Sequence, residues 1–281
     1  METGRSGRPE GAAEGALRAA FGAGAGDPGP ADSAAGLAWC SAVALAGRGR
    51  FAAARTRTRT VADGPFASAA RCLEASMVRQ SGRHRDASSL DGAALGAALD
   101  ARTHPASPLD VASRVDAAVG LAADALGTGR FALAARMLDR ADGYLALAPG
   151  SEPWWTVPRA RLRRDWVAAE LAVYSGDADG AALAVAGLIA ADPGPEKPRH
   201  HAKTQLIVAA GLASTGDPDG AREAADRAYQ VATRDGLNPL WWAGAKLLTA
   251  LSVAGRGERF VREAAEREAE WIRDGAELIR M

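Results

Sequence analysis

The chain has 281 residues, 48% of them hydrophobic, 5% aromatic and 24% charged, which is enough to bury a core and build one or two domains. Its 34 basic and 34 acidic residues balance, and a formal net charge of zero excludes a global field for nucleic acid or an anionic membrane. Lys197, Lys203 and Lys246 are the only lysines, so the basic residues are nearly all arginine, in the usage of a high-GC genome.

Two cysteines, Cys40 and Cys72, do not make a disulfide framework, and their apolar surroundings suit a reducing, cytoplasmic home. No apolar run reaches the ~18 residues of a membrane helix. The N-terminus lacks the basic-then-apolar layout of an export signal.

In chain order, residues 1–30 are rich in Gly, Pro, Ala and Glu and read as a disordered tail. Residues 14–21 have the composition for a transient turn or two. From 31 to 281 the pattern is helical. Helices are predicted at 34–46, 51–61, 66–80 and 84–99. The run 55–60 alternates Arg and Thr like a strand but has nothing to pair with, and stays helical. Residues 104–108 form a linker, with Ser107 or Asp110 placed to cap the next helix. Helices are then expected at 109–126 and 131–147. Residues 148–153 mark a sub-boundary. Later helices are expected at 161–174, 181–190, 199–214 and 221–233. Trp241-Trp242 opens another, and 258–279 gives a charge-dense last helix. There Glu258 with Arg262, and Glu263 with Arg267, are spaced i,i+4, which suits a solvated terminal cap.

One phrase recurs between these helices. Gly49-Arg-Phe-Ala-Ala-Ala54 and Gly129-Arg-Phe-Ala-Leu-Ala134 nearly match, and Gly82-Arg-His-Arg-Asp-Ala87 is close. Gly176-Asp-Ala-Asp-Gly-Ala181 and Gly216-Asp-Pro-Asp-Gly-Ala221 pair with each other, and a worn copy lies at 255–260. Each reads as a helix end, a tight turn and a new helix. Seven residues before the glycine come Ala42, Ala75, Ala122, Ala169 and Ala209, and Ala250 before Gly257. Five after it come Ala54, Ala87, Ala134, Ala181 and Ala221. Twelve after it come Ala94, Ala141, Ala228 and Ala269, with Val61 and Leu188 as larger members. Small residues at these offsets let two antiparallel helices approach closely, and Phe51 or Phe131 fills the gap beside the turn.

This pattern resembles the tetratricopeptide repeat, a helix-turn-helix unit of ~34 residues. The resemblance covers 34–281 and departs from the family in spacing. The first two turns lie about 33 residues apart and later ones about 40 to 47, and the early-helix Trp is matched only by Trp39 and Trp166. It implies an all-α α-solenoid of about six antiparallel units. The alternatives are another helical repeat or a compact all-helical domain.

No motif carries chemistry. His84, His104, His200 and His201 have no metal-ligand spacing, and HExxH and CxxC patterns are absent. His200-His201 reads as a solvated helix start. No nucleophile elbow, P-loop or dinucleotide fingerprint is present. No cofactor is expected. The early arginines at 48, 50, 55, 57, 59, 79, 83 and 85 read as a solvated face, with few aromatics to stack bases. Trp154-Trp155 and Trp241-Trp242 read either as packing under the linkers or as rings lining a ligand groove. Adjacent helical residues point ~100° apart, so each pair splits its rings.

Three functions compete: a non-enzymatic scaffold binding a protein or peptide, a regulatory or sensor domain, and an enzyme whose site is assembled from scattered residues. The first is preferred. On the family resemblance, the first helix of each unit lines a concave face. Arg159 with Arg199, and Arg163 with Lys203, share offsets from their turn glycines and would lie side by side there. Trp166, Glu170 and Tyr174 would continue that face, with Leu206 and Ala210 beside them. Such a groove would hold an acidic segment or a C-terminal carboxylate. The alternative is that these cations solvate helix starts or pair with acids such as Glu196. The residues leave the oligomeric state open.

Overall fold

In the computed structural model, which describes residues 10–23, 33–61, 63–100, 107–148, 150, 152–252 and 257–278, the turn glycines share one conformation. Gly49, Gly82, Gly129, Gly176 and Gly216 have φ of 81°, 84°, 72°, 75° and 88°, a region that penalises any Cβ. In each case the following N–H bonds the carbonyl five residues back, as Arg50 does to Leu45 and Asp217 to Leu212. This satisfies carbonyls that the helix end leaves open. The recurring phrase is therefore one turn used repeatedly.

The described residues form thirteen helices and no strand. They are α1 (Glu10–Phe21), α2 (Ala34–Gly47), α3 (Phe51–Thr58), α4 (Ala67–Gln80), α5 (His84–Asp100), α6 (Pro108–Gly127) and α7 (Phe131–Leu145). There follow α8 (Val157–Ser175), α9 (Ala178–Ala190), α10 (Pro198–Ser214), α11 (Pro218–Arg234), α12 (Asn238–Leu251) and α13 (Glu258–Arg273). Local chemistry sets the starts. Ser33 caps α2, and Ser107 with Asp110 makes a capping box on α6. Asp177 and Asp217 cap α9 and α11 by accepting from the Gly180 and Gly220 N–H, both at 2.9 Å. A Cβ on those glycines would lie 2.2 and 2.3 Å from the capping carboxylates, which explains the second glycine of each Gly-Asp-x-Asp-Gly-Ala phrase.

Helices pack with their sequence neighbours, in the pairs α2–α3, α4–α5, α6–α7, α8–α9, α10–α11 and α12–α13. The first helices also pack on one another in succession, from α2 through α12, with no comparable packing between successive second helices. An inner layer of first helices therefore lies beneath an outer layer of second helices. The alanines at the three offsets hold the pairs together. All of those flanking the five turns are buried, as are Val61 and Leu188. Residues 253–256 lie outside the described region, and Ala250 and Ala269 are exposed, so the register fails in the last pair. There Ala264 is buried and Gly244 lies under Tyr229. Phe51 is fully buried, whereas Phe131 is 37% exposed and fills no gap.

Two further expectations change. The expected tail contains α1, whose Leu17, Ala20 and Phe21 are buried with Trp39, Phe66 and Trp155. Residues 1–9 and 24–32 of that segment lie outside the described residues. Second, α13 is more than a solvated cap. Its pairs are Arg259 with Glu263 and Arg267 with Glu270, not the expected ones. Trp271 is buried against Phe51, Ala54 and Met77, joining the last pair to the first. The Ala52 N–H donates to the Asp274 carbonyl at 2.9 Å, and Arg55 donates to the Gly275 carbonyl at 2.9 Å. One core cluster, from Val111 to Val167, spans both sides of residues 148–153. No described helix is long and apolar enough to cross a membrane.

Candidate functional site

Two buried ionic networks and an aromatic socket lie on the inner layer, one network reaching α5 of the outer layer. Down one face of α6 run Asp116, Gly120 and Asp124, spaced i, i+4, i+8. All are buried.

Asp116 meets α8. Arg159 grips it with both terminal guanidinium nitrogens, one at 3.2 Å, and Arg163 donates to it as well. Arg159 also donates to the Trp155 carbonyl at 2.8 Å. Burial raises the proton affinity of Asp116, but the two guanidiniums and their hydrogen bonds outweigh it and hold the carboxyl below its usual range.

Asp124 meets α4 and α5. Arg79 donates to it at 2.7 Å and also to Asp91. Asp91 is 1% exposed, and one of its oxygens has no hydrogen-bond partner among the described residues. Burial, opposed by Arg79, pushes its carboxyl up to about 7. Cys72 lies within the field of both networks, and burial followed by Asp91 and Asp116 pushes its thiol well up. Burial alone raises Cys40 to about 12. Both thiols are buried and free. Neither is an exposed nucleophile.

The socket gathers rings from α1, α2, α8 and α10 and from the turns before α4 and α8. Phe21 of α1 lies 5.4 Å from Trp39, which touches Phe66 at 5.4 Å and Trp155 at 5.9 Å. His200, expected to be solvated, is 1% exposed, stacked on Trp166 at 5.8 Å and edge-on to Trp154 at 4.7 Å. Burial, then Arg199, Arg159, Arg163 and Lys197, drive it well below the usual histidine range, so it is neutral. Its neighbour His201 is half-buried on Asp192 at 2.8 Å. The arginine of Asp116 also serves here, with the Arg159 guanidinium 5.9 Å from the Phe21 ring centre. Of the second Trp pair, Trp241 is buried beside Tyr229 and Trp242 donates to Glu268 at 3.1 Å, so each pair splits its rings.

The expected groove residues do fall on facing helices α8 and α10, but most are occupied. Arg159 and Arg163 are taken by Asp116, and Lys203 by Glu170 at 3.1 Å. Trp166 is buried and donates to Thr204 at 3.0 Å, and Leu206 is buried. Tyr174 is 68% exposed, away from that interior. The pairing acids are Asp116 and Glu170, not Glu196.

Arg199 differs. It is half-buried, donates to the Val43 carbonyl at 3.2 Å, and has no carboxylate within 4.0 Å among the described residues. Burial and the charges of Arg159 and Arg163 lower it to about 10, so it remains a cation at neutral pH. It lines a cavity of about 340 Å³ with Arg18 and Arg48, opposed by Glu196 and Asp235. Among the described residues no group of three or more His, Cys, Asp or Glu is placed to hold a metal ion.

Comparison of the chain with protein-family models, with curated proteins and with solved structures gives no match.

Proposed function

We propose that this chain is a non-enzymatic helical-repeat scaffold that binds a helical peptide segment of a protein partner on its inner layer. In this reading the chain is a tetratricopeptide-like solenoid of six pairs, wound tightly enough for the last pair to rest on the first. One observation carries the reading: the inner layer already holds a helix, α1, by its apolar face. The partner class follows from the lining, in which aromatic rings take an apolar face and Arg199 stands ready for an acidic side chain or a C-terminal carboxylate.

The test uses a peptide selected by display on the immobilised full chain and measured by calorimetry. Arg199→Glu is expected to weaken it at least tenfold, while Arg222→Glu on α11 leaves it unchanged. Equal affinity for both variants would overturn the reading.

A further inference from the structure

Helix α1 is held by its surroundings more than by its own sequence. It has 12 residues, at the lower edge of what persists alone in water. Gly15 sits in its interior and Gly11 in its first turn, and glycine is the poorest helix former after proline. A Cβ at either would meet nothing within 4 Å, so close packing does not explain them. Gly11, Glu14, Gly15, Arg18 and Ala19 are exposed, and burial falls on Leu17, Ala20 and Phe21.

The socket that receives this face is specific but incompletely satisfied. At its rim Gly22 has φ of 88°, and a Cβ there would lie 2.1 Å from the Glu196 carbonyl. The Ala23 N–H bonds that same carbonyl at 2.9 Å, and Lys197 donates to the Ala23 carbonyl. Inside, Trp155 Nε1 and His200 Nδ1 are buried with no hydrogen-bond partner among the described residues. A buried polar atom without a partner is costly, and the Phe21 ring meets neither, so α1 is held in the socket by apolar contact.

Resting on the scaffold reading above, we infer that the socket of Trp39, Phe66, Trp155 and His200 is a binding site for an apolar helical segment ending in an aromatic ring, and that α1 is its resident, displaceable occupant. Because α1 is covalently attached, it competes as an intramolecular ligand. A partner must match the Leu17, Ala20 and Phe21 face to displace it.

The experiment has two arms on the full chain. In the first, amide exchange is followed in the wild type. Amides of α1 are expected to exchange at least a hundredfold faster than those of α6, through local release. Exchange of α1 only at the slowest, α6-like rate overturns the inference. In the second, a labelled synthetic peptide of residues 10–23 is titrated against wild type and against full-length Phe21→Ala. It is expected to bind the variant at least tenfold more tightly, because the competing ring is gone. Equal affinity, or no binding to a variant whose circular dichroism is native, overturns the inference. Local release and peptide capture, combined with display-selected peptides that ignore Arg199, would support the resident helix and sink the scaffold reading.

Discussion

Gly120 of α6 stands beneath the carboxylate of Asp91, and a methyl group there would lie 2.2 Å from Oδ2. The buried acid on α5 and the missing side chain on α6 are thus one feature, and Arg79 closes it from α4. Gly120→Ala is expected to cost about 1–3 kcal/mol through overpacking. Gly143→Ala, on an exposed part of α7 with nothing within 4 Å, should stabilise by about 0.5–1 kcal/mol. Urea denaturation of the two variants reads this contrast, and equal effects would count against the placement of Asp91.

Asp116 is the shared counter-ion of two guanidiniums, one of them buried. Asp116→Ala leaves Arg159 without its counter-ion and should cost about 3–5 kcal/mol. Lys203→Met breaks a more exposed pair with Glu170 and should cost less than about 1 kcal/mol. Chemical denaturation separates these outcomes. A mild loss for Asp116→Ala would mean that Arg159 reaches water.

Stability should depend on pH through two opposed groups. Asp91 is raised from the usual 3.8 to about 7, so its contribution is full below the unfolded value and is lost as pH rises through 7. His200 is depressed below the usual 6.5, so its contribution is present above that value and is lost as pH falls. Asp116, held low, matters only below about pH 4. Between pH 5 and 7 the two slopes partly cancel. Asp91→Asn removes the falling one, so its stability should climb with pH more steeply than the wild type's. Parallel curves in urea melts at stepped pH would refute this.

Bulk is tolerated only where the alanine register ends. Ala122→Leu and Ala134→Leu, both at 0% exposure, should each cost about 1–3 kcal/mol. Ala250→Leu, at an exposed position, should stay within about 0.5 kcal/mol. Thermal melts check all three, and a neutral Ala122→Leu would remove the close contact of α6 with α7.

The parts of this fold that rest on neighbouring residues are legible in the sequence. Turn glycines, caps and the alanines at fixed offsets from Gly49 to Gly216 act within a few residues of each other, so their spacing records them. Closure of the last pair on the first rests on Phe51 and Trp271, whose meeting no local pattern marks. Helix α1 is hidden because its glycines mask two effective anchors, Leu17 and Phe21. Spacing places the cations of α8 and α10 on facing helices but does not identify their counter-ions. Asp116 comes from a third helix, and its only trace is the run Asp116, Gly120, Asp124 on one face of α6. His200 resembles a solvated helix start because the rings that bury it come from α1, α8 and the turn before α8.

Amide exchange of the full chain, with and without a display-selected peptide, locates the surface that a partner would cover. Binding should slow exchange in the first turns of α10 and along α2 and α8, and leave α9 and α11 unchanged. Protection confined to α9 and α11, with α2, α8 and α10 unaffected, would contradict binding on the inner layer.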